Sequence, residues 1–514
     1  MFIPLCMKIL SAEQIRQTDA YTIAHEPVAS IDLMERAATA FVNKLLSFDF
    51  ISSSTPFLVF CGPGNNGGDG LAIARMLAER HFSVGVYILP ADRYTPDFEI
   101  NRQRIQALKG SPIEVKLDMP AEISVEEVSK TIVIDAIFGT GLNKPVEGLA
   151  RDWIQFINKN HLRVVAVDIP SGLFADSEAK LGSDDIIHAA YTLTFQQPKL
   201  SFFFADHAPY VGFFHVLDIG LHKGFISLLP SLYTYVDFDD ARELLNPRPK
   251  FSHKGMYGHA LLVAGSYGKT GAASLAVRAC LRSGVGLVTA RVPACAYTVL
   301  QTLAPEAMLM PDEEEYFVAS PVHLDAYNAV GVGPGLGMEK QTQQMLKVLI
   351  QQSGGPMVLD ADALNILSDN KTWLHFLPGG SILTPHPKEF ERLSGKKGDS
   401  FSRFEWQKEF SIKYGVYIVL KGAHTSISCP DGQVFFNSTG NPGMAKGGSG
   451  DVLTGLITGL LAQGYVPMEA AVLGVYLHGL AGDIAAQELS MEAMTAGDIV
   501  GAFAEAFKKL RGNS

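Results

Sequence analysis

The chain has little cysteine and spends it without pattern. Its five cysteines (Cys6, Cys61, Cys280, Cys295 and Cys429) are odd in number and scattered, with no C-x-x-C pair. Neither a disulfide framework nor a zinc site is expected, and a reducing cytoplasm is the compartment this usage suits. Positive charge is also short. Lys and Arg number 42 against 53 Asp and Glu, for a net −11 with no basic run. That argues against nucleic acid or an acidic membrane as partner. It leaves room for a small anion, because backbone dipoles bind phosphate without net positive charge. Long apolar runs are missing too: VLTGLITGLLAQG is broken by glycines and too short to span a bilayer. The start, MFIPLCMKILSAEQ, has no basic segment and too short an apolar run for a signal peptide, and Met7 offers an alternative start to Met1.

What is present is a long α/β pattern. At 514 residues the chain exceeds one ordinary core. Apolar strand-like runs fall at 57–61, 84–89, 131–135, 164–168 and 191–195, then again at 259–265, 287–292, 329–333, 357–360, 381–384 and 416–420. Amphipathic helices lie between most of them, which means parallel sheets covered on both faces. Ser11 and Gln14 form a capping box, and Ser30 is expected to cap a second helix. Asp431-Gly432 reads as a hairpin turn. The border is expected within 236–255, giving domains 1–235 and 236–514.

CGPGNNGGDG (61–70) follows the first strand, contains G-x-G-x-x-G, whose glycines let the chain approach a ligand closely, and leads into a helix expected to start near Asp69. A dinucleotide site also needs an acid at the end of the second strand to hold a ribose. Here that strand runs into Leu89 and Pro90, with Asp92 beyond. Asn65, Asn66 and Asp69 are not letters that a pyrophosphate clamp requires, and a carboxylate facing a pyrophosphate would repel it. A dehydrogenase is therefore disfavoured. Two further strands also end in chemistry, at Asp135-AIFGTGLNKP and Asp168-IPSG. Each residue alone is an ordinary turn or cap former. Together, at the carboxyl edge of one sheet, they suggest a site, and Asn66, Asp135 and Ser171 could offer hard oxygens to a cation.

With QQPKLSFF added, these motifs resemble the YjeF N-terminal family, the NAD(P)H-hydrate epimerases. The resemblance implies a Rossmann-like three-layer domain that binds NADH or NADPH hydrated at C6 of the nicotinamide ring, with a potassium ion on Asn66, Asp135 and Ser171. Substrate contacts carry over to Asn65, Asn66, Gly67, Gly68, Asp69, Gly139, Thr140, Gly141, Leu142, Asn143, Lys144, Pro145 and Asp168. Asp168 is the expected general acid/base, with Lys199 assisting.

NSTGNPGMAKGGSGDVLTGLITG (437–459) crowds glycines before a helix whose first turn holds Asp451. Such a loop and helix start make an anion hole, and an acid beside it can take a proton from an attacking hydroxyl. The alternative is an acid that serves only the helix dipole. Gly268-Lys269-Thr270 looks like a Walker A tail, but Val263 occupies the position of its opening glycine. VGVGPGLG (330–337), LTPHPKEFERL (383–393) and VLKGAHT (419–425) are further strand exits. In order, these motifs resemble the YjeF C-terminal (carbohydrate-kinase-like) family, the ADP/ATP-dependent NAD(P)H-hydrate dehydratases. That implies a ribokinase-like α/β/α domain. Hydrate contacts carry over to Ala272, Gly335, His386 and Asp451. Adenine-nucleotide contacts carry over to Lys421, Gly422, Ala423, His424, Thr425 and Gly450. The implied activities are epimerisation of the R and S hydrates and ADP-driven dehydration of the S form. Mg²⁺ is expected in the second domain and a homo-oligomer for the whole. A small-molecule kinase fused to a nucleotide-binding domain, and a nonenzymatic nucleotide sensor, remain open alternatives.

Overall fold

The computed structural model describes residues 7–108, 113–116, 130–176 and 184–512. Cys6 and the segment before Met7 lie outside the described residues. By their internal contacts the described residues divide at Ser231 and Leu232, into a first unit that begins at Lys8 and a second that also takes in Met7. The division falls before 236 because Tyr233–Val236 is a strand of the second unit, parallel to Val434–Asn437.

In the first unit the sheet runs Ile113–Lys116, Val84–Ile88, Phe57–Cys61, Ile132–Ala136, Arg163–Val167, Tyr191–Phe195, Phe213–Leu217, all neighbours parallel. Numbered along the chain, that order is 3-2-1-4-5-6-7. It reverses direction between Phe57–Cys61 and Ile132–Ala136, and ligands bind at such a switch point. Alternation sorts the strands onto two cores. Val59 and Cys61 face one, while Phe60 faces the other with Tyr87 and Trp153. Phe60 stacks on Tyr87 at 4.7 Å, and Trp153 meets Phe60 edge-on at 5.4 Å.

The second unit repeats this order from its own strands. Met308–Pro311, Leu287–Val292, His259–Val263, Ala329–Val332, Met357–Leu359, Ile382–Leu383 and Tyr417–Leu420 are again 3-2-1-4-5-6-7 and parallel. Ser426–Ser428 and Val434–Asn437 then add antiparallel strands through the expected hairpin, whose Gly432 has φ +88°. Leu261 and Val263 enter one core, Ala260 and Leu262 the other. Strands at Ile113–Lys116, Phe213–Leu217, Tyr233–Val236 and Met308–Pro311 carry no sequence reading of their own; most are short and lie at or near sheet edges, where burial leaves a weak pattern.

Two local expectations are corrected. Ser11 and Gln14 do form the capping box. Ser30, however, is the first residue of its helix, behind Ala29, and its hydroxyl donates to Asp97 at 2.5 Å. The helix expected to begin near Asp69 begins at Asn65, so the letters NNGG form its first turn. The glycines of that stretch also do a different job from ligand approach. None has positive φ. A Cβ on Gly62 would lie 1.8 Å from the Ile137 carbonyl oxygen, and one on Gly67 the same distance from the Gly62 oxygen. They seat strand, loop and helix directly against one another.

Candidate active sites

At the first switch point a cleft of about 790 Å³ opens. Asn65, Asn66, Asp69, Asp168, Lys199 and all of residues 139–145 line it. Gly67 and Gly68 do not: both are buried, and a Cβ on Gly68 would meet Met34 at 2.9 Å. Asp135 and Ser171 lie beneath the floor, fully buried. The Ser171 hydroxyl donates to Asp135 Oδ1 at 2.6 Å and its N–H to Oδ2 at 2.8 Å. The Phe138 N–H donates to Ser171 Oγ at 2.8 Å. Gly139 abuts Asn66, whose side chain a Cβ would touch at 3.3 Å. The bonds join Asp135 and Ser171 to the loop whose Gly139 abuts Asn66. Burial pushes Asp135 up to about 6, with the Ser171 and Ile137 hydrogen bonds opposing. Among the described residues no cationic side chain pairs with it, and the Asn66 amide nitrogen is buried without a partner. A buried carboxylate among hard oxygens, lacking a counter-charge, fits a monovalent cation.

Asp168 leaves its strand with φ +66°, a strained conformation for a non-glycine residue. Its Oδ1 accepts from Phe195 N–H at 2.9 Å, Thr194 Oγ1 at 3.1 Å and Lys199 Nζ at 2.5 Å. Lys199 is 1% exposed and also donates to Thr194 Oγ1 and the Gln197 carbonyl. The strain is thus held by three donors from the end of one strand and the loop that follows it. Three acids absent from the sequence reading share the cleft, Asp19, Asp97 and Glu147. Nothing in the spacing of the first helix could have marked Asp19.

In the second unit the strand ends again converge. Gly265 N–H donates to the Pro334 carbonyl at 2.9 Å, joining the two loops of the switch point. Gly335 has φ +59°, and a Cβ there would lie 3.0 Å from Ala272 Cβ. The Ser449–Ala462 helix starts behind Gly448, which has φ +96° and provides no side-chain cap. Its first-turn amides face the site without a capping oxygen. Asp451 sits in that turn. Burial and the neighbouring Asp360 push it up to about 6, with Lys421 opposing and Asp362 adding.

Lys421 donates to Asp360 Oδ1 at 2.9 Å and lies 3.9 Å from Glu389. Burial would pull the ammonium down, but Asp360 and Glu389 outweigh it and its pKa is raised. The Thr454 hydroxyl donates to Asp360 Oδ2 at 2.7 Å, and a Cβ on Gly450 would come within 3.3 Å of Lys421 Nζ. His386 caps the Pro387–Ser394 helix: its Nδ1 accepts from Lys388 and Glu389 N–H, while Glu389 accepts the His386 N–H at 2.9 Å. His386 therefore orients Glu389, and through it Lys421. Gly422, Ala423, His424 and Thr425 form the following turn, closed by Thr425 Oγ1 on the Gly422 carbonyl at 3.1 Å. Asp360 and Glu389 were missed in sequence. Asp360 follows the Met357–Leu359 strand and is followed by Ala361 at φ +48°. It could have been found by the strand-end rule that found Asp168.

Each unit thus carries buried or strained acids at the switch point of a nucleotide-binding strand order, and the chain is an enzyme with two heads. A family described as YjeF-related protein N-terminus matches residues 30–201, and one described as NAD(P)H-hydrate dehydratase matches residues 260–504. The bifunctional NAD(P)H-hydrate repair enzyme Nnr of Moorella thermoacetica is 38% identical over 510 residues, covering 96% of this chain and 95% of that protein. The protein of the same name from Escherichia coli is 32% identical, covering 91% and 88%. Among solved structures, the ADP/ATP-dependent NAD(P)H-hydrate dehydratase of Bacillus subtilis with ATP and Mg²⁺ is 32% identical, covering 54% of this chain and 98% of that one, with a TM-score of 0.48. The chain belongs to the family of bifunctional NAD(P)H-hydrate repair enzymes.

Proposed function

We infer that the first unit epimerises the R and S hydrates of NADH and NADPH at C6 of the nicotinamide ring. The second unit dehydrates the S form at the expense of ADP, giving NAD(P)H, AMP and phosphate. One observation carries this reading: a single chain holds an Asp168–Lys199 pair in a nucleotide-sized cleft and, in a separate unit, Asp451 in an uncapped helix turn. Hydroxide is a poor leaving group, and phosphorylating the C6 hydroxyl makes it a good one. Asp451 takes the hydroxyl proton. The amides of residues 448–450 stabilise charge on the transferred phosphate, and Lys421, ordered by Asp360 and Glu389, holds the nucleotide. Push from the ring nitrogen then expels phosphate, and loss of the C5 proton from the resulting iminium forms the C5–C6 double bond of NAD(P)H as the electron pair returns to N1.

In the first unit Asp168 moves the proton and Lys199 fixes its carboxylate in place. Potassium would be held by Asn66, Asp135 and Ser171, where its charge would offset the buried Asp135 carboxylate beneath the loop that borders the cleft. Mg²⁺ would enter with the nucleotide beside the carboxylates around Asp451 and neutralise charge on its phosphates. No helix among the described residues is long and apolar enough to cross a membrane. The buried Cys61, Cys280 and Cys429 thiols, raised by burial, suit a reducing cytoplasm.

The test mixes both epimers of NADH hydrate with the purified protein, with and without ADP, and follows the reduced-nicotinamide absorbance. Complete recovery with ADP is expected. Recovery stopping at the S fraction, beyond slow spontaneous epimerisation, would remove the first activity. A stable phosphorylated product would mean a kinase, and no reaction with nucleotide still bound would mean a sensor. Light scattering tests the expected homo-oligomer.

A further inference from the structure

One carboxyl in the first cleft has no task in this reading. Asp19 lies on the Ala12–His25 helix and lines the cleft with Asp168 and Lys199. Its helix neighbours are spoken for. Thr18 and Thr22 each donate to the carbonyl one turn back at 2.8 Å, and Arg16 pairs with Glu13 at 2.6 Å. Asp19 is half-buried and, among the described residues, has no hydrogen-bond or ion-pair partner. A carboxyl left so weakens a fold, and such residues collect where function needs them.

Acids outnumber cations around it. Asp168 at the sheet edge, Asp69 on the Asn65–Glu79 helix, Asp97 on the Pro96–Gln106 helix and Glu147 on the loop line the same cleft, as do the cations Arg16, Lys144 and Lys199. Lys199 is the cation whose charge acts on Asp19, and it is ion-paired with Asp168. Burial, then the Asp168 charge, push Asp19 up to about 7. Burial raises Asp69 well above its ordinary range, with Asp168, Asp19 and Asp97 adding. Asp69 is therefore suited to donating a hydrogen bond, and Asp19 to giving and taking a proton near neutral pH. The unpartnered Asn66 amide, 8% exposed, marks the same cleft as one that awaits a ligand.

We propose that Asp19 is the second acid–base group of the epimerisation, working with Asp168 in the cleft that both line. This rests on the epimerase reading of the first unit. Inverting C6 requires oxygen to leave one face and return on the other, so a proton is given by one group and taken by another. Asp19 gives its proton to the C6 hydroxyl. The C6–O bond breaks, its electron pair leaves with water, and the N1 lone pair forms a C6–N1 double bond. Water adds to the opposite face, the double-bond pair returns to N1, and the proton of the added water passes to Asp168. The two carboxyls have then exchanged one proton, which solvent or the reverse reaction restores.

The test uses the full-length protein, with dehydration of the pure S hydrate as an internal control. Asp19→Asn should lower kcat for R-to-S conversion about 100-fold or more, with KM little changed, and erase the pH limb near 7. Dehydration should stay at the wild-type rate, and the melting temperature should be unchanged or higher, since an uncompensated charge is lost. Asp19→Glu should restore part of the rate. Epimerisation at the wild-type rate in Asp19→Asn, with Asp168→Asn inactive, would overturn the role of Asp19 and leave the epimerase reading standing. So would transfer of the whole defect to Asp69→Asn, or a lowered melting temperature with the pH limb retained. Failure of the unaltered protein to speed epimerisation would instead overturn the reading beneath it.

Discussion

Asp451→Asn should stop dehydration while making the second unit more stable at alkaline pH. The folded carboxyl holds its proton to about pH 6, against 3.8 for an ordinary aspartate. Its share of stability is therefore complete below 3.8 and lost as pH rises through about 6. The gap is worth at most about 3 kcal/mol, and solvent reaching this half-buried side chain reduces it to about 1–2 kcal/mol. Thermal melts at pH 8 should place Asp451→Asn above the unaltered protein, and melts below pH 3.8 should bring the two together. The same proton governs the chemistry, because a general base must be ionised. For the unaltered enzyme kcat/KM should fall below pH 6 and reach about a tenth of its plateau at pH 5. In Asp451→Asn, kcat should drop about 10²–10⁴-fold. A variant that dehydrates at the normal rate would refute the assignment. A variant that melts lower at pH 8 than the unaltered protein would refute the electrostatic reasoning.

Other substitutions probe the supports. Lys421→Met leaves Asp360 and Glu389 buried without a cation; denaturant titration should register about 3–5 kcal/mol lost, and the acid limb of dehydration should move to higher pH because Lys421 no longer lowers Asp451. Gly62→Ala drives a methyl against the Ile137 carbonyl oxygen; a loss of about 1–3 kcal/mol should appear in urea melts, with epimerisation impaired and dehydration spared. Trp153→Ala empties a fully buried site beside Phe60 and Tyr87 and should cost about 3–5 kcal/mol in the same assay. Asp135→Asn should abolish any potassium dependence of epimerisation, measured by exchanging potassium for a larger organic cation, and leave dehydration unchanged.

Strands that face two cores were legible because continuous apolar runs such as FLVFC and HALLV admit no other packing. Their end residues, Asp135 and Asp168, followed from the rule that ligands sit at carboxyl edges. Asp360 obeyed the same rule and was passed over, since a short exit into an alanine-rich helix lacks the glycine signature of its neighbours. Glu389 was hidden inside a capping box, where a carboxylate looks fully employed. Asp19 was beyond reach, because its importance comes from what a distant sheet edge brings near it. The strand order, and with it each switch point, depends on pairings between runs far apart in the chain, which no local pattern encodes.

The glycine seam at residues 62 and 67 has a further meaning. With 1.8 Å between a hypothetical methyl and a backbone oxygen at each position, those letters act as a spacer gauge, fixing how far the helix start stands from two strands. Chains with unrelated chemistry can share the gauge because it specifies a distance and leaves the ligand unspecified. Here the ligand's identity is written between its marks, in the side chains that the gauge brings to the cleft.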